Sequence, residues 1–129
     1  MQPIVAAEVG DEHRALQYFR HALLMDLADL SGNVSDGVHV ASAGGVWMAL
    51  VFGFGGVRDF DGALSIDPCL PVPLRALAFS LRFRGRQLRI DLSHREERYA
   101  VDEGAPIDVT VRGVTHRVAT GEPVVLPAP

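Results

Sequence analysis

From Gly37 to Phe54 the chain is apolar almost all the way round a helical projection. Val38, Val40, Ala41, Ala43, Val46, Trp47, Met48, Ala49, Leu50, Val51 and Phe52 leave no polar stripe. A helix of this kind needs burial on every side. Gly44, Gly45 and Gly53 interrupt it, and each costs roughly 1 kcal/mol relative to Ala inside a helix, a cost that close approach of another element or of a ligand offsets. The chain offers one obvious helical neighbour. From Asp11, a plausible N-cap, Leu16, Phe19, Leu23, Leu24, Leu27 and Leu30 recur at steps of three and four, with Gly32-Asn33 as the expected stop. Two helices cannot enclose the apolar one, so further helices, from the same intact protein or from another copy, are expected around it. Trp47 is read most simply as core. In a chain lacking those neighbours the exposed set is expected to include Val40, Trp47, Val51 and Phe54.

The hydrophobic period changes from about 3.6 to 2 near Asp61. Ahead of it, the short apolar lead Ile4 to Val9, ended by Gly10, reads as the tail of a helix. Beyond Gly62, strands are expected at Ala63 to Ile66, Ala78 to Arg84, Gln87 to Ser93, Arg98 to Val101, Ile107 to Arg112, Val114 to Ala119 and Pro123 to Leu126. Phe79-Ser80-Leu81-Arg82-Phe83-Arg84 alternates strictly, giving one apolar and one charged face. Arg84-Gly85-Arg86 and Arg112-Gly113-Val114 supply hairpin turns. The expected fold class is α+β: a helical segment over residues 1–61, then a small antiparallel β-sandwich over residues 62–129. At 129 residues, one compact unit or two half-units is the limit.

Charge excludes one class of partner. All 12 basic residues are Arg and are outnumbered by 16 acidic ones, so no basic tract marks a nucleic-acid footprint. The single cysteine, Cys69, cannot form an internal disulfide, which fits a reducing cytoplasm. The most apolar run, Val46 to Phe54, is far shorter than the roughly 20 residues of a membrane helix, and no secretory signal follows Met1. A soluble cytoplasmic chain without membrane contact is the expectation.

One segment could carry chemistry. Asp36-Gly37-Val38-His39-Val40-Ala41-Ser42-Ala43-Gly44-Gly45 joins small residues, backbone N–H groups and the positive end of a helix dipole, which suits an oxyanion or phosphate. His39 and Ser42, three apart, share one helical face. The plainer alternative is that the glycines and Ser42 only permit tight helix packing while His39 is a hydrogen-bonded core histidine. Asp59, Asp61 and Asp67 read as turn-capping residues. Glu8, Glu12 and Glu103 read as exposed, His13 and His21 as the polar flank of their helix, and His94 and His116 lack metal-ligand spacing. No metal or cofactor is expected. Arg82, Arg84, Arg86 and Arg89 read as one solvated face.

The run Gly32-Asn33-Val34-Ser35-Asp36-Gly37-Val38-His39-Val40-Ala41-Ser42-Ala43-Gly44-Gly45-Val46-Trp47, followed by Val51-Phe52-Gly53-Phe54-Gly55-Gly56-Val57-Arg58, resembles the closing motif of glycoside hydrolase family 65, which includes maltose, trehalose and kojibiose phosphorylases. Leu64-Ser65-Ile66-Asp67-Pro68 and Leu81-Arg82-Phe83-Arg84-Gly85 are similar to the opening of that family's C-terminal β-sandwich. The resemblance implies the last helices of an (α/α)6 barrel followed by that sandwich. It also implies that His39, Ser42 and the backbone around Ala43, Gly44 and Gly45 contribute to a phosphate site, with inorganic phosphate and an α-glucoside disaccharide as partners of the intact enzyme. The family's general acid, a glutamate, lies upstream of this motif and has no counterpart here. Two functions follow. The chain is either the C-terminal section of such an enzyme, inactive alone, or a free-standing structural module that pairs with itself or with a separately encoded barrel.

Overall fold

The change of hydrophobic period is a change of architecture. The computed structural model describes residues 2–25, 28, 29, 32, 35, 37 and 39–129. Three α-helices come first, α1 (Gln2–Glu8), α2 (Glu12–Leu24) and α3 (Val40–Met48), and α3 runs on into a π-helical turn, Ala49–Phe54. Eight strands follow: β1 (Val57–Arg58), β2 (Leu64–Ile66), β3 (Ala76–Phe83), β4 (Arg86–Ser93), β5 (Glu96–Glu103), β6 (Ile107–Val111), β7 (Val114–Val118) and β8 (Val124–Pro127). The chain divides into two compact units, residues 1–54 and 55–129. The composition shifts near Asp61, but Val57–Arg58 pairs with Ser65 and Ile66 and so draws the preceding residues into the second unit.

In the helical unit Asp11 caps α2, its carboxylate accepting the Arg14 backbone N–H at 3.0 Å. The helix ends at Leu24, short of the expected Leu30. Asp29 sits at φ 45, a left-handed conformation through which an α-helix cannot continue. Leu27, Leu30, Asn33, Val34, Asp36 and Val38, which the sequence reading placed in this helix, its stop or the following motif, lie outside the described residues. Phe19 and Phe54 meet edge to face at 5.5 Å between centroids. A methyl group built on Gly53 would lie 3.6 Å from the Ile4 Cα, so α1 packs directly on the π-helical turn. These contacts correct part of the expected exposure: Val51 and Phe54 are buried, whereas Val40 is 76% and Trp47 52% exposed. Trp47 is therefore not core within this chain, and its ring has Phe52 as an edge-to-face neighbour at 5.7 Å.

The second unit holds two four-stranded sheets, β1-β2-β6-β7 and β3-β4-β5-β8. All seven expected strands form. Alternation sets their faces, and Leu88, Ile90 and Leu92 of β4, Tyr99 and Val101 of β5, and Ile107, Val109 and Val111 of β6 are buried. The pairing is not wholly antiparallel as expected. β2 and β6 run parallel, because the chain builds β3, β4 and β5 of the other sheet between them and returns in the same direction. At Gly56, φ is +63 and a Cβ would fall 1.9 Å from the Asp67 carbonyl oxygen, so only glycine fits this approach.

One charged group lies inside. Glu97 is 3% exposed on β5. Arg112, just past β6 in the other sheet, grips both carboxylate oxygens, Nη1 donating to Oε2 at 2.8 Å and Nη2 donating to Oε1. The Tyr99 hydroxyl donates to Oε2 at 2.8 Å. Burial, then the hydrogen bond to Glu97, pushes the Tyr99 phenol well above its ordinary range. The hydrogen bond to Glu97 also raises Arg112, holding it charged.

Removing one partner of such a pair leaves an uncompensated buried charge. Arg112→Met should therefore destabilise the chain by about 2–3 kcal/mol in urea unfolding, the partial exposure of Arg112 keeping the loss below the roughly 3–5 kcal/mol of a fully buried pair. The double variant Glu97→Met/Arg112→Met should recover part of that loss. A second expectation concerns pH. The native state keeps Tyr99 protonated where the unfolded chain ionises, so this contribution is fully present below about pH 10 and falls as pH rises further. Urea midpoints measured from pH 9 to 11 should decline, and Tyr99→Phe should flatten the decline.

Candidate functional site

The sequence-singled residues gather at the start of α3. His39 is the N-cap residue (φ −79, ψ 81), and its side chain makes no capping hydrogen bond. Its carbonyl accepts the backbone N–H groups of Ser42 at 2.9 Å and Ala43 at 3.2 Å. By α-helical geometry the N–H groups of Gly44 and Gly45 point back along the helix to earlier carbonyls. The amides left over for an acceptor at this helix end are those of Val40 and Ala41, which the sequence reading had not singled out. The signal for them was the position of the cap.

Ser42 already has a use. Its hydroxyl donates to the Ala22 carbonyl of α2 at 2.9 Å, fastening α3 to α2. A hydroxyl carries one donor hydrogen and two acceptor lone pairs. Donation from Ser42 to an anion therefore requires the hydroxyl to turn away from Ala22. Among the described residues no atom lies within 4 Å of a Cβ added at Gly44 or Gly45. They pack against none of the described residues, unlike Gly53 against Ile4. The helical unit also has a cavity of about 330 Å³ lined by Val5, Ala6, Val9 and Arg14, among others. It includes no residue from 39–45.

The Asp59 side chain makes no capping hydrogen bond, contrary to the turn-capping expectation. The Asp59 carbonyl accepts the Gly62 N–H at 3.4 Å, and the Asp67 N–H donates to the Gly56 carbonyl at 3.1 Å. His13, His21 and His94 are exposed, and His94 Nε2 donates to the Leu74 carbonyl at 2.8 Å. Glu8, Glu12 and Glu103 are exposed as well. Among the described residues no group of three His, Cys, Asp or Glu side chains is placed to hold a metal, and no helix is long and apolar enough to cross a membrane.

Comparison with known proteins gives the family. The profile of the glycosyl hydrolase family 65 central catalytic domain matches residues 1–48, and that of the family 65 C-terminal domain matches residues 57–118. An uncharacterized glycosyl hydrolase of Mycobacterium leprae is 46% identical over 111 residues, covering 86% of this chain and 14% of the relative. An alpha,alpha-trehalose phosphorylase of Thermoanaerobacter brockii is 40% identical over 106 residues, covering 82% of this chain and 14% of that enzyme. Among solved structures, a protein assigned as a kojibiose phosphorylase from the human microbiome shares the fold with a TM-score of 0.89 at 22% identity, over 97% of this chain and 16% of that one. The chain thus spans about one-seventh of the length of these relatives. It belongs to glycosyl hydrolase family 65.

The open space over Gly44 has a measurable consequence. In the isolated chain Gly44→Ala should raise stability by about 0.5–1 kcal/mol, the ordinary gain of alanine inside a helix, while Ser42→Ala should lower it by about 1 kcal/mol through loss of the bond to Ala22. Urea denaturation followed at the helical signal checks both.

Proposed function

We propose that this chain is the C-terminal section of a cytoplasmic family 65 disaccharide phosphorylase, and that the start of α3 forms one wall of its phosphate site. The carrying observation is the intact Gly37-Val38-His39-Val40-Ala41-Ser42-Ala43-Gly44-Gly45 run at a helix N-terminus, in a chain 40% identical to a trehalose phosphorylase. In this reading the Val40 and Ala41 amides and the helix dipole attract the anion. His39 reaches it with its side chain, Ser42 joins once its hydroxyl turns from the Ala22 carbonyl, and the bare backbone at Ala43, Gly44 and Gly45 allows close approach. Inverting phosphorolysis also needs a general acid for the departing sugar, with phosphate on the opposite face of the reacting ring. That acid is assigned to the barrel upstream. The uncovered face carrying Val40 and Trp47 is the surface on which the rest of the barrel packs.

The 129-residue chain alone should release no glucose 1-phosphate from maltose, trehalose or kojibiose, since positioned proton transfer is worth about 10²- to 10⁴-fold and substrate orientation is lost with the barrel. Joined to the upstream portion of the Thermoanaerobacter brockii trehalose phosphorylase, it should restore phosphorolysis of trehalose. There, Ser42→Ala and His39→Ala should raise the KM for phosphate about tenfold or more with little change in that for trehalose. Robust activity of the lone chain, or variants that leave the phosphate KM unchanged, would overturn the reading.

The second reading is a free-standing module that pairs through its apolar helix, and the exposure of Val40, Trp47 and Met48 favours it. It requires a discrete assembly of the pure chain by light scattering. A monomer, or open-ended aggregation, counts against it.

A further inference from the structure

The second unit carries a groove of about 260 Å³ beside the β3–β4 turn, with Gly62, Arg84, Arg86, Asp108 and Arg117 in its lining. We propose that this groove is an anion site for a phosphate group, either inorganic phosphate or a phosphate monoester. It lies outside the His39–Gly45 segment and stands independently of the reading given to that segment.

The arginines of β3 and β4 do not form one uniform solvated face. Arg82 donates to Gln87 Oε1 at 3.1 Å, and Arg89 donates to both oxygens of Asp91 at 3.2 Å. Arg84 and Arg86 are held differently. Arg84 occupies the first position of a two-residue turn at φ 49, followed by Gly85 at φ 74. A type I′ turn of this kind favours Asn, Asp or Gly at that position, so an arginine there carries a conformational cost. Its guanidinium lies against the Gly62 backbone, where a Cβ would sit 1.9 Å from Nη2, and near the Phe83 ring, 5.6 Å from its centroid. Among the described residues it has no carboxylate or carbonyl partner. Its five N–H donors are unused and open to solvent.

Arg86 is aimed by backbone. Its Nε donates to the Ala105 carbonyl at 3.0 Å and its Nη1 to the Arg84 carbonyl at 2.8 Å. Its stem crosses Gly104, where a Cβ would come within 2.9 Å of Cγ. Arg117 of β7 donates through Nη1 to Asp108 Oδ1 at 3.0 Å, leaving its other donors over. The lining thus holds three guanidinium groups against one carboxylate. Guanidinium groups match phosphate oxygens in paired hydrogen bonds, and Arg86, held beforehand by two backbone carbonyls, loses less entropy when the ligand arrives. The volume falls below the roughly 300 Å³ at which sites for drug-sized ligands begin, which favours a small ion or a single phosphate group.

The test follows arginine Nε–H resonances of the 129-residue chain by NMR during titration with inorganic phosphate, a hexose 6-phosphate, and sodium chloride at matched ionic strength. The proposal predicts saturable shifts at Arg84 and Arg86 with a phosphate compound and none of that form with chloride. Tighter binding of inorganic phosphate identifies the free ion as ligand, and tighter binding of the sugar phosphate identifies the monoester. Arg84→Gly, which relaxes the turn and so preserves the fold, should weaken binding about tenfold, as should Arg117→Gln. Arg89→Gln, outside the groove, should leave it unchanged. Equal shifts with chloride, no saturable shift with either phosphate compound, or unaltered binding by Arg84→Gly and Arg117→Gln would overturn the proposal.

Discussion

Helix α3 presents more apolar surface than its own unit covers, and the first half of this chain depends on that imbalance. The helix has Val40 at its start and Trp47 and Met48 at its end, all exposed, although α2 packs on it through the Ser42–Ala22 bond and α1 covers the π-helical turn that follows. At roughly 25 cal/mol per Å² of apolar surface, a few hundred Å² left in water forgoes several kcal/mol, a large part of the net stability of a small domain. The helical unit therefore keeps apolar surface in water, which the proposed barrel would cover. Gly44 and Gly45 clear space that none of the described residues fills.

The second unit answers its own needs. Its sheets bury alternating residues, and the one charge drawn inside, Glu97, is met by two donors from Arg112 and one from Tyr99. Because Glu97 belongs to β5 and Arg112 follows β6, the pair ties one sheet to the other at a fixed register. A buried ion pair adds little net stability over apolar packing of the same shape, but removing one member is costly. Its consequence is specificity of arrangement rather than strength. The contrast between the units matches the two family profiles, one ending at residue 48 within the catalytic domain and one beginning at residue 57.

Much of this was legible in the sequence, and the failures are instructive. Strands β3 and β4 announced themselves by strict period-two alternation, five more by short apolar runs between Gly, Pro and Asp, and Asp11 by its place ahead of an apolar stripe. Strand β1 did not, because Val57 and Arg58 are too few to show a period. The parallel pairing of β2 with β6 was hidden, since alternation fixes which face a residue occupies and says nothing about the direction of its neighbour. Glu97 could have been found: it stands two and four residues from Tyr99 and Val101, on the apolar phase of its strand, where a carboxylate requires a partner. At the candidate site the motif located the segment, but the spent hydroxyl of Ser42 depended on where α2 lies. The burial of Val51 and Phe54 depended on α1 folding back over the π-helical turn, which no local pattern records.

The central claim is that α3 is a helix meant to be covered by structure beyond this chain, and Trp47, the only tryptophan, reports on it directly. Acrylamide quenching of Trp47 fluorescence should be compared in the dilute 129-residue chain and in the same chain joined to an upstream family 65 catalytic domain. The account predicts efficient quenching in the lone chain and strong shielding in the joined protein. Equal and efficient quenching in both, or a Trp47 already shielded in the dilute monomer, would contradict it.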